Sequence, residues 1–139
     1  MNATVHSSTD LVMQLVESCR HTQEGFRHAS QAVACGDLKR LFGIYSQQRT
    51  RFAEELCQYL PAGAAGPAQK TEWSALAPAE IMRRCLDADK SSLDLYGQAL
   101  ASGGMSSRAH FLISAQYSLL QRVHERGLGI FASRSPERD

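Results

Sequence analysis

Hydrophobic residues recur at three- and four-residue steps along most of the chain, a spacing that places side chains on one face of an α-helix. The pattern predicts four helices, at about residues 9–34, 38–60, 79–101 and 105–131. No segment of comparable length alternates apolar and polar residues in the manner of a β-strand. The chain is therefore predicted to form one all-α domain that covers residues 1–139.

The breaks between the predicted helices differ in length. Gly36 is predicted to end the first helix, with Asp37 capping the second, and Gly103-Gly104 is predicted to end the third. The second and third helices are instead separated by a segment of about 18 residues that can reach roughly 60 Å when extended. Because a helix of roughly 23 residues is only about 35 Å long, this segment can cross the whole bundle.

The long segment runs from Pro61 to Pro78 and contains Trp73. Two antiparallel hairpins joined by one long crossover form the ferritin-like four-helix bundle, whereas short loops throughout form an up-and-down bundle. The sequence therefore favours the ferritin-like topology, with Trp73 packed over the side of the bundle.

Composition narrows the range of partners and locations. The chain has 43% hydrophobic and 21% charged residues, as folded domains do, and its 15 Lys and Arg against 14 Asp and Glu give a net charge of +1. A net charge this close to zero creates no electrostatic field around the protein that would attract nucleic acid or an anionic membrane, so we expect neither as a partner. There is no apolar run of about 18 residues, and the cysteines contain no CxxC pair, which indicates reduced thiols and a cytoplasmic location. They are Cys19, Cys35, Cys57 and Cys85.

Several short patterns occur in order along all four predicted helices: Cys19 to Arg27, Arg49 to Leu56, Asp89 seven residues before Tyr96, and Gln116-Tyr117 with His124. Together they resemble a family of small bacterial ferritin-like proteins of unassigned function. The resemblance implies a four-helix bundle related to ferritins and rubrerythrins, often discussed as stress-associated, without an established reaction.

The metal chemistry of that superfamily needs a Glu from each of two helices and a Glu-x-x-His motif from each of the other two. This chain departs from the motif twice. The run Gln121 to His124 carries Gln in place of Glu, and the run Arg49 to Phe52 carries a guanidinium and a phenyl ring in place of carboxylate and imidazole. We therefore expect no ferritin-type dinuclear site.

Arg49 shares an apolar stripe with Phe42, Tyr45 and Phe52, so its charge is predicted to lie in the interior. A buried charge without a partner is very costly. Asp89 is also on the inner side of its helix, and the sequence predicts an Arg49–Asp89 ion pair in the middle of the bundle. The predicted polar network is completed by two further residues, Gln116 and His124.

Three classes of function follow from these residues. The first is a non-catalytic ferritin-like bundle with no catalytic residues and no cofactor, acting through self-association, expected as a homodimer, or through partner binding. The second is a metal-binding ferritin-like protein with a mononuclear or incomplete site for a single iron, zinc or manganese ion, or with a site assembled between subunits. The third binds a small apolar or cofactor ligand between the helices. The residues considered as metal ligands are His21, Asp89, Gln121 and His124, and those considered for a dimer surface beside His124 are Ile113, Tyr117 and Leu128. The residues of the fourth helix predicted to face inward are Leu112, Leu119, Leu120, Val123 and Ile130.

Overall fold

The computed structural model describes residues 7–66, 73 and 76–133 of the chain. This part contains no strand and forms four helices: α1 (Ser8–Ala32), α2 (Gly36–Cys57), α3 (Pro78–Ala101) and α4 (Ser107–Ser133). The prediction of an all-α protein with four helices is confirmed. Within the described residues, no helix combines the length and the apolar character that a membrane span requires.

The turn between α1 and α2 differs from its prediction. α1 ends at Ala32, because Val33 adopts an extended conformation, and Cys35 rather than Asp37 is the residue that precedes α2. Gly36 is the first residue of α2 and does not end α1. Asp37 lies in the first turn of α2, where its negative charge favours the positive end of the helix dipole.

The other predicted ends shift by one to three residues. α2 ends at Cys57 instead of residue 60, since the three residues before Pro61 form tighter turns and the residue before a proline disfavours the helical conformation. α3 begins at Pro78, where proline's missing N–H costs least. α4 begins at Ser107, after Ser106, whose hydroxyl accepts a hydrogen bond from the Ala109 amide at 3.1 Å.

α1 packs along both α2 and α3, and α4 packs along α3 and more loosely along α2. Side-chain contacts show which levels of α1 and α2 meet. Ser30 donates to the Lys39 carbonyl at 2.6 Å near the turn, and further along the pair Gln23 donates to Ser46 at 3.2 Å. α2 and α3 make little direct helix-to-helix contact.

The interior consists of two apolar clusters. One gathers Val12, Leu15, Phe52, Leu56 and Ile113, and the other gathers residues such as Phe26, Phe42, Trp73, Met82 and Val123. Thr22, Arg49 and Asp89 are buried and lie between residues of the two clusters along α1, α2 and α3. The bundle therefore has a polar layer near its middle, with apolar packing on both sides.

The predicted inward and outward sides of α4 need correction. Leu119, predicted to face inward, is exposed, whereas Ile113, considered for a dimer surface, is fully buried. Tyr117 is half-buried and stacks on Tyr96, and Leu128 is exposed. The cause is helical phase, because one residue rotates a side chain by about 100°, and the buried stripe of α4 runs through Ile113, Gln116, Leu120 and Val123.

The path of the predicted crossover from Pro61 to Pro78 lies partly outside the described residues. Trp73, within that segment, is buried and packs its ring 5.1 Å from the ring of His21. Its six-membered ring also lies against Gly25, where a β-carbon would come within 2.8 Å of the indole. The first part of the segment is held to α1, because Arg20 donates to the Gly66 carbonyl at 2.8 Å.

Candidate functional site

The centre of the polar layer is Arg49, the most buried charged residue described. The buried stripe of α2 follows steps of four and three residues through Phe42, Tyr45, Arg49, Phe52 and Leu56, so the helix carries the guanidinium inward. Arg49 is 0% exposed. Because an arginine keeps its proton in proteins, this position places a permanent positive charge inside the bundle.

Asp89 on α3 is the partner of Arg49. Arg49 Nη1 donates to Asp89 Oδ1 at 2.6 Å, and the carboxylate is 3% exposed. Burial raises the pKa of Asp89, and the Arg49 guanidinium, followed by the more weakly acting His124, opposes that rise. The ion pair connects α2 to α3, the two helices that make little other contact, and so it links the bundle across its centre.

Three further groups surround the guanidinium. Arg49 Nη1 also donates to Thr22 Oγ1 at 3.2 Å, which adds α1 to the polar layer, and Arg49 Nε donates to Gln48 Oε1 at 3.3 Å. The ring of Phe26 lies 5.2 Å from the guanidinium carbon, within the range of a cation–π contact. Among the described residues Arg49 Nη2 has no hydrogen-bond partner. The cation is thus held by one carboxylate, one hydroxyl, one side-chain amide oxygen and one aromatic face.

A second polar cluster lies beside the first, around Tyr96. The Tyr96 hydroxyl donates to Gln116 Oε1 at 2.6 Å and contacts Cys19 Sγ at 3.3 Å. Gln116 Nε2 donates to Glu55 Oε1 at 3.0 Å and to the Phe52 carbonyl at 3.3 Å. Burial raises the pKa of the Cys19 thiol to about 11 and also raises the pKa of Tyr96. Both groups therefore stay protonated at neutral pH and serve as hydrogen-bond partners.

The four residues of the predicted polar network are divided by the structure. Arg49 and Asp89 are in direct contact, whereas Gln116 belongs to the cluster around Tyr96 and bonds neither of them. His124 lies close enough to Asp89 to act on its pKa, but His124 Nδ1 has no hydrogen-bond partner among the described residues. The expectation that Gln116 completes the Arg49–Asp89 network is wrong, because the hydrogen bonds of its side chain go to Tyr96, Glu55 and Phe52.

The residues considered as metal ligands are not gathered in one place. His21 is exposed and packs against Trp73, and Gln121 is exposed on α4, while Asp89 is buried beside Arg49. In the part of the chain that the structure describes, no group of three or more His, Cys, Asp and Glu side chains is arranged to hold a metal ion. Of the four candidates, Asp89 and His124 are close enough for the charge of His124 to act on the pKa of Asp89.

A cavity of about 20 Å³ lies beside the ion pair, lined mostly by aromatic and aliphatic side chains, with Asp89 as its charged member. This volume suits about one water molecule and is far below the 300–1,000 Å³ typical of small-molecule sites. A cofactor or apolar ligand bound between the helices would therefore have to displace side chains.

Sequence reasoning missed the roles of several residues. Thr22 is recognisable only as a polar residue on the apolar stripe of α1, and its contact with Arg49 depends on how α1 and α2 are aligned. Tyr96 lies on the buried side of α3, and a buried tyrosine hydroxyl usually needs a hydrogen-bond partner. Glu55 is half-buried and accepts from Gln116. A polar group on an apolar stripe is the signal that Thr22 and Tyr96 share, whereas Glu55 carries no such signal.

Comparison of the chain with models of protein families, with curated proteins and with solved structures found no match. The ferritin-like resemblance therefore stays a prediction from the short sequence patterns.

Proposed function

We propose that this protein is a non-catalytic helical bundle of the ferritin-like type that acts through its surface, by self-association or by binding a partner. The observation that carries this proposal is the Arg49–Asp89 ion pair, with both residues at most 3% exposed. It occupies the middle of the bundle, the region where ferritin-like di-iron proteins hold their metals.

The order of helix contacts supports the ferritin-like architecture. α1 lies beside α2 and α3, and α4 lies beside α3 and α2, as in two hairpins arranged side by side. Contacts between α1 and α2 pair Ser30 with Lys39 and Thr22 with Arg49, so residue numbers fall along α1 as they rise along α2. This relation supports an antiparallel hairpin, and the long α2–α3 connection is compatible with a crossover.

The charge at the centre opposes metal binding. A dinuclear centre of two divalent ions needs several carboxylates, whereas the described interior offers Asp89, which Arg49 already engages. A unit charge pair at 4 Å is worth about 4 kcal/mol at an effective dielectric of about 20, so an adjacent guanidinium would strongly repel an incoming cation. The interior is therefore suited to holding helices together.

Iron loading tests the proposal. Protein purified without chelator is loaded anaerobically with ferrous iron, and bound iron and oxygen consumption are then measured. We expect no tightly held iron and no ferroxidase turnover. A Cys35→Ala variant controls for adventitious binding at the exposed thiol. Two equivalents of tightly held iron per chain with oxygen consumption would overturn the proposal, and one bound ion retained by the control variant would favour the metal-binding alternative.

A further inference from the structure

Three polar atoms in and beside the polar layer have no hydrogen-bond partner among the described residues. Two of them are the buried atoms Arg49 Nη2 and His124 Nδ1. The third is Oδ2 of Asp89, since Arg49 donates to Oδ1 of that carboxylate. Buried polar groups in folded proteins nearly always bond to other protein groups or to ordered water. These three atoms therefore indicate a further partner in the middle of the bundle.

The cavity of about 20 Å³ lies in the same part of the bundle. Asp89 is on its wall and is 3% exposed. Phe26 also lines the cavity, and its ring lies 5.2 Å from the guanidinium carbon of Arg49. Val123, the residue before His124, lines it from α4. The cavity thus lies against residues that carry or flank the three unpartnered atoms.

The size and the lining of the cavity determine what it can hold. A buried water needs roughly 10–15 Å³ of such volume and two to four polar partners. A volume of about 20 Å³ therefore admits one water molecule and is too small for a cofactor. Cavities lined by apolar groups alone stay dry. This one differs, because a carboxylate forms part of its wall and a guanidinium lies 2.6 Å from that carboxylate.

We propose that this cavity is a binding site for one ordered water molecule, which donates to Asp89 Oδ2 and accepts a hydrogen bond from Arg49 Nη2. Its second hydrogen is donated to His124 Nδ1, with the proton of the neutral imidazole on Nε2. Three hydrogen bonds are the usual number for a buried water. Because Thr22, Arg49 and Asp89 lie on α1, α2 and α3, the bond to His124 on α4 connects the polar layer to all four helices.

The water compensates both charges of the ion pair. Burial raises the pKa of Asp89, because the carboxylate has lost most of its hydration. A hydrogen bond donated by the water favours the ionised carboxylate, and so it favours the pair with Arg49. The same water accepts from the part of the guanidinium that the described residues leave unbonded.

Other small occupants fit the cavity less well. A halide ion would lie against the carboxylate of Asp89, and a metal ion would lie beside the guanidinium of Arg49, so each would meet a like charge. An apolar gas atom would leave a buried carboxylate oxygen without a hydrogen bond, which is costly. Water is the occupant that can both donate to the carboxylate and accept from the guanidinium.

A high-resolution crystal structure of the full chain tests the site directly. We expect one isolated density peak in the cavity, at about 2.5–3.0 Å from Asp89 Oδ2. Crystals soaked in bromide should show no anomalous peak at this position, because the carboxylate repels an anion. Crystals pressurised with xenon should keep the water peak and gain no xenon there.

Magnetic relaxation dispersion of the water signal counts long-lived internal water molecules in solution and compares variants. Ala29→Val adds methyl groups at a buried position of the cavity wall and should remove one long-lived water. Arg49→Met combined with Asp89→Leu removes polar partners and should remove the same water. The matched control is Ala53→Val, at a buried alanine of the other apolar cluster, which should keep the count of the unaltered protein. Far-UV circular dichroism verifies that the variants are folded.

Any of the following results would overturn the inference. They are a cavity without density in crystals that show ordered water elsewhere, a bromide or xenon peak in the cavity, density too large for one water, and a water count that either Ala29→Val or the double variant leaves unchanged. The crystal structure needs no variant, so the inference can be refuted even if a variant does not fold. The iron measurement does not depend on the occupant of this cavity, and the proposed function can therefore fail separately.

Discussion

The Arg49–Asp89 ion pair should behave as one coupled unit in folding. We consider the substitutions Arg49→Met and Asp89→Leu, alone and together, because both introduce apolar side chains that the surrounding clusters can accommodate. Each single substitution leaves the other charge buried without its partner. The double substitution leaves no buried charge in the polar layer.

The geometry of the ion pair gives the size of the expected loss of stability. At the observed 2.6 Å and an effective dielectric of about 20, the Coulomb attraction is about 6 kcal/mol, and it offsets a desolvation penalty of several kcal/mol for each ion. Replacing one partner removes the attraction but leaves the remaining ion with its desolvation penalty. Each single variant should therefore lose roughly 3–5 kcal/mol of the free energy of unfolding. The double variant should lose much less than the sum, with a coupling energy of about 3 kcal/mol.

Urea unfolding measures these changes. Trp73 is the only tryptophan of the chain and is buried, so its fluorescence reports on the native packing, while far-UV circular dichroism reports on the helices. The surface pair Arg27 and Glu24 is the control. Arg27→Met should cost less than about 1 kcal/mol, because exposed ion pairs contribute little.

Additive losses in the two single variants and the double variant would refute the coupling. If Asp89→Leu alone lowered the free energy of unfolding by less than about 1 kcal/mol, the variant would not leave the Arg49 charge buried and without a partner.

Other predictions concern the packing of Trp73 and the thiols. Gly25→Ala should displace the indole, because the new β-carbon would lie 2.8 Å from it, and should cost about 1–3 kcal/mol with a red shift of tryptophan fluorescence. In native protein at pH 8, iodoacetamide should modify the exposed Cys35 readily and leave the buried Cys19 and Cys85 unmodified, as mass spectrometry of the labelled peptides would show. Burial raises the pKa of Cys19 from 9.0 to about 11, so above pH 9 this thiol ionises in the unfolded chain but stays protonated in the folded protein, which favours unfolding. Stability should then fall between about pH 9 and 11, by about 2–3 kcal/mol for this thiol, and urea midpoints of Cys19→Ala should fall less over that range.

Local sequence information determined the helices and the presence of an inward charge. Steps of three and four residues and the position of proline predict all four helices within a few residues, because helix periodicity and proline sterics act over short distances. Arg49 was predicted to lie inside on the same basis, since it continues the stripe of Phe42 and Phe52, and a buried arginine restricts the partner to a nearby acid.

Tertiary structure decided which buried polar groups pair and which side of α4 remains exposed. Gln116 bonds Tyr96 and Glu55 instead of the ion pair, because the relative heights of α2, α3 and α4 determine which side chains meet. Leu119 is exposed and Ile113 is buried, the reverse of the prediction, because a shift of one residue along a helix rotates the side chain by about 100°. Periodicity identifies the apolar stripe of each helix, but only the packing of all four helices determines which part of that stripe is covered.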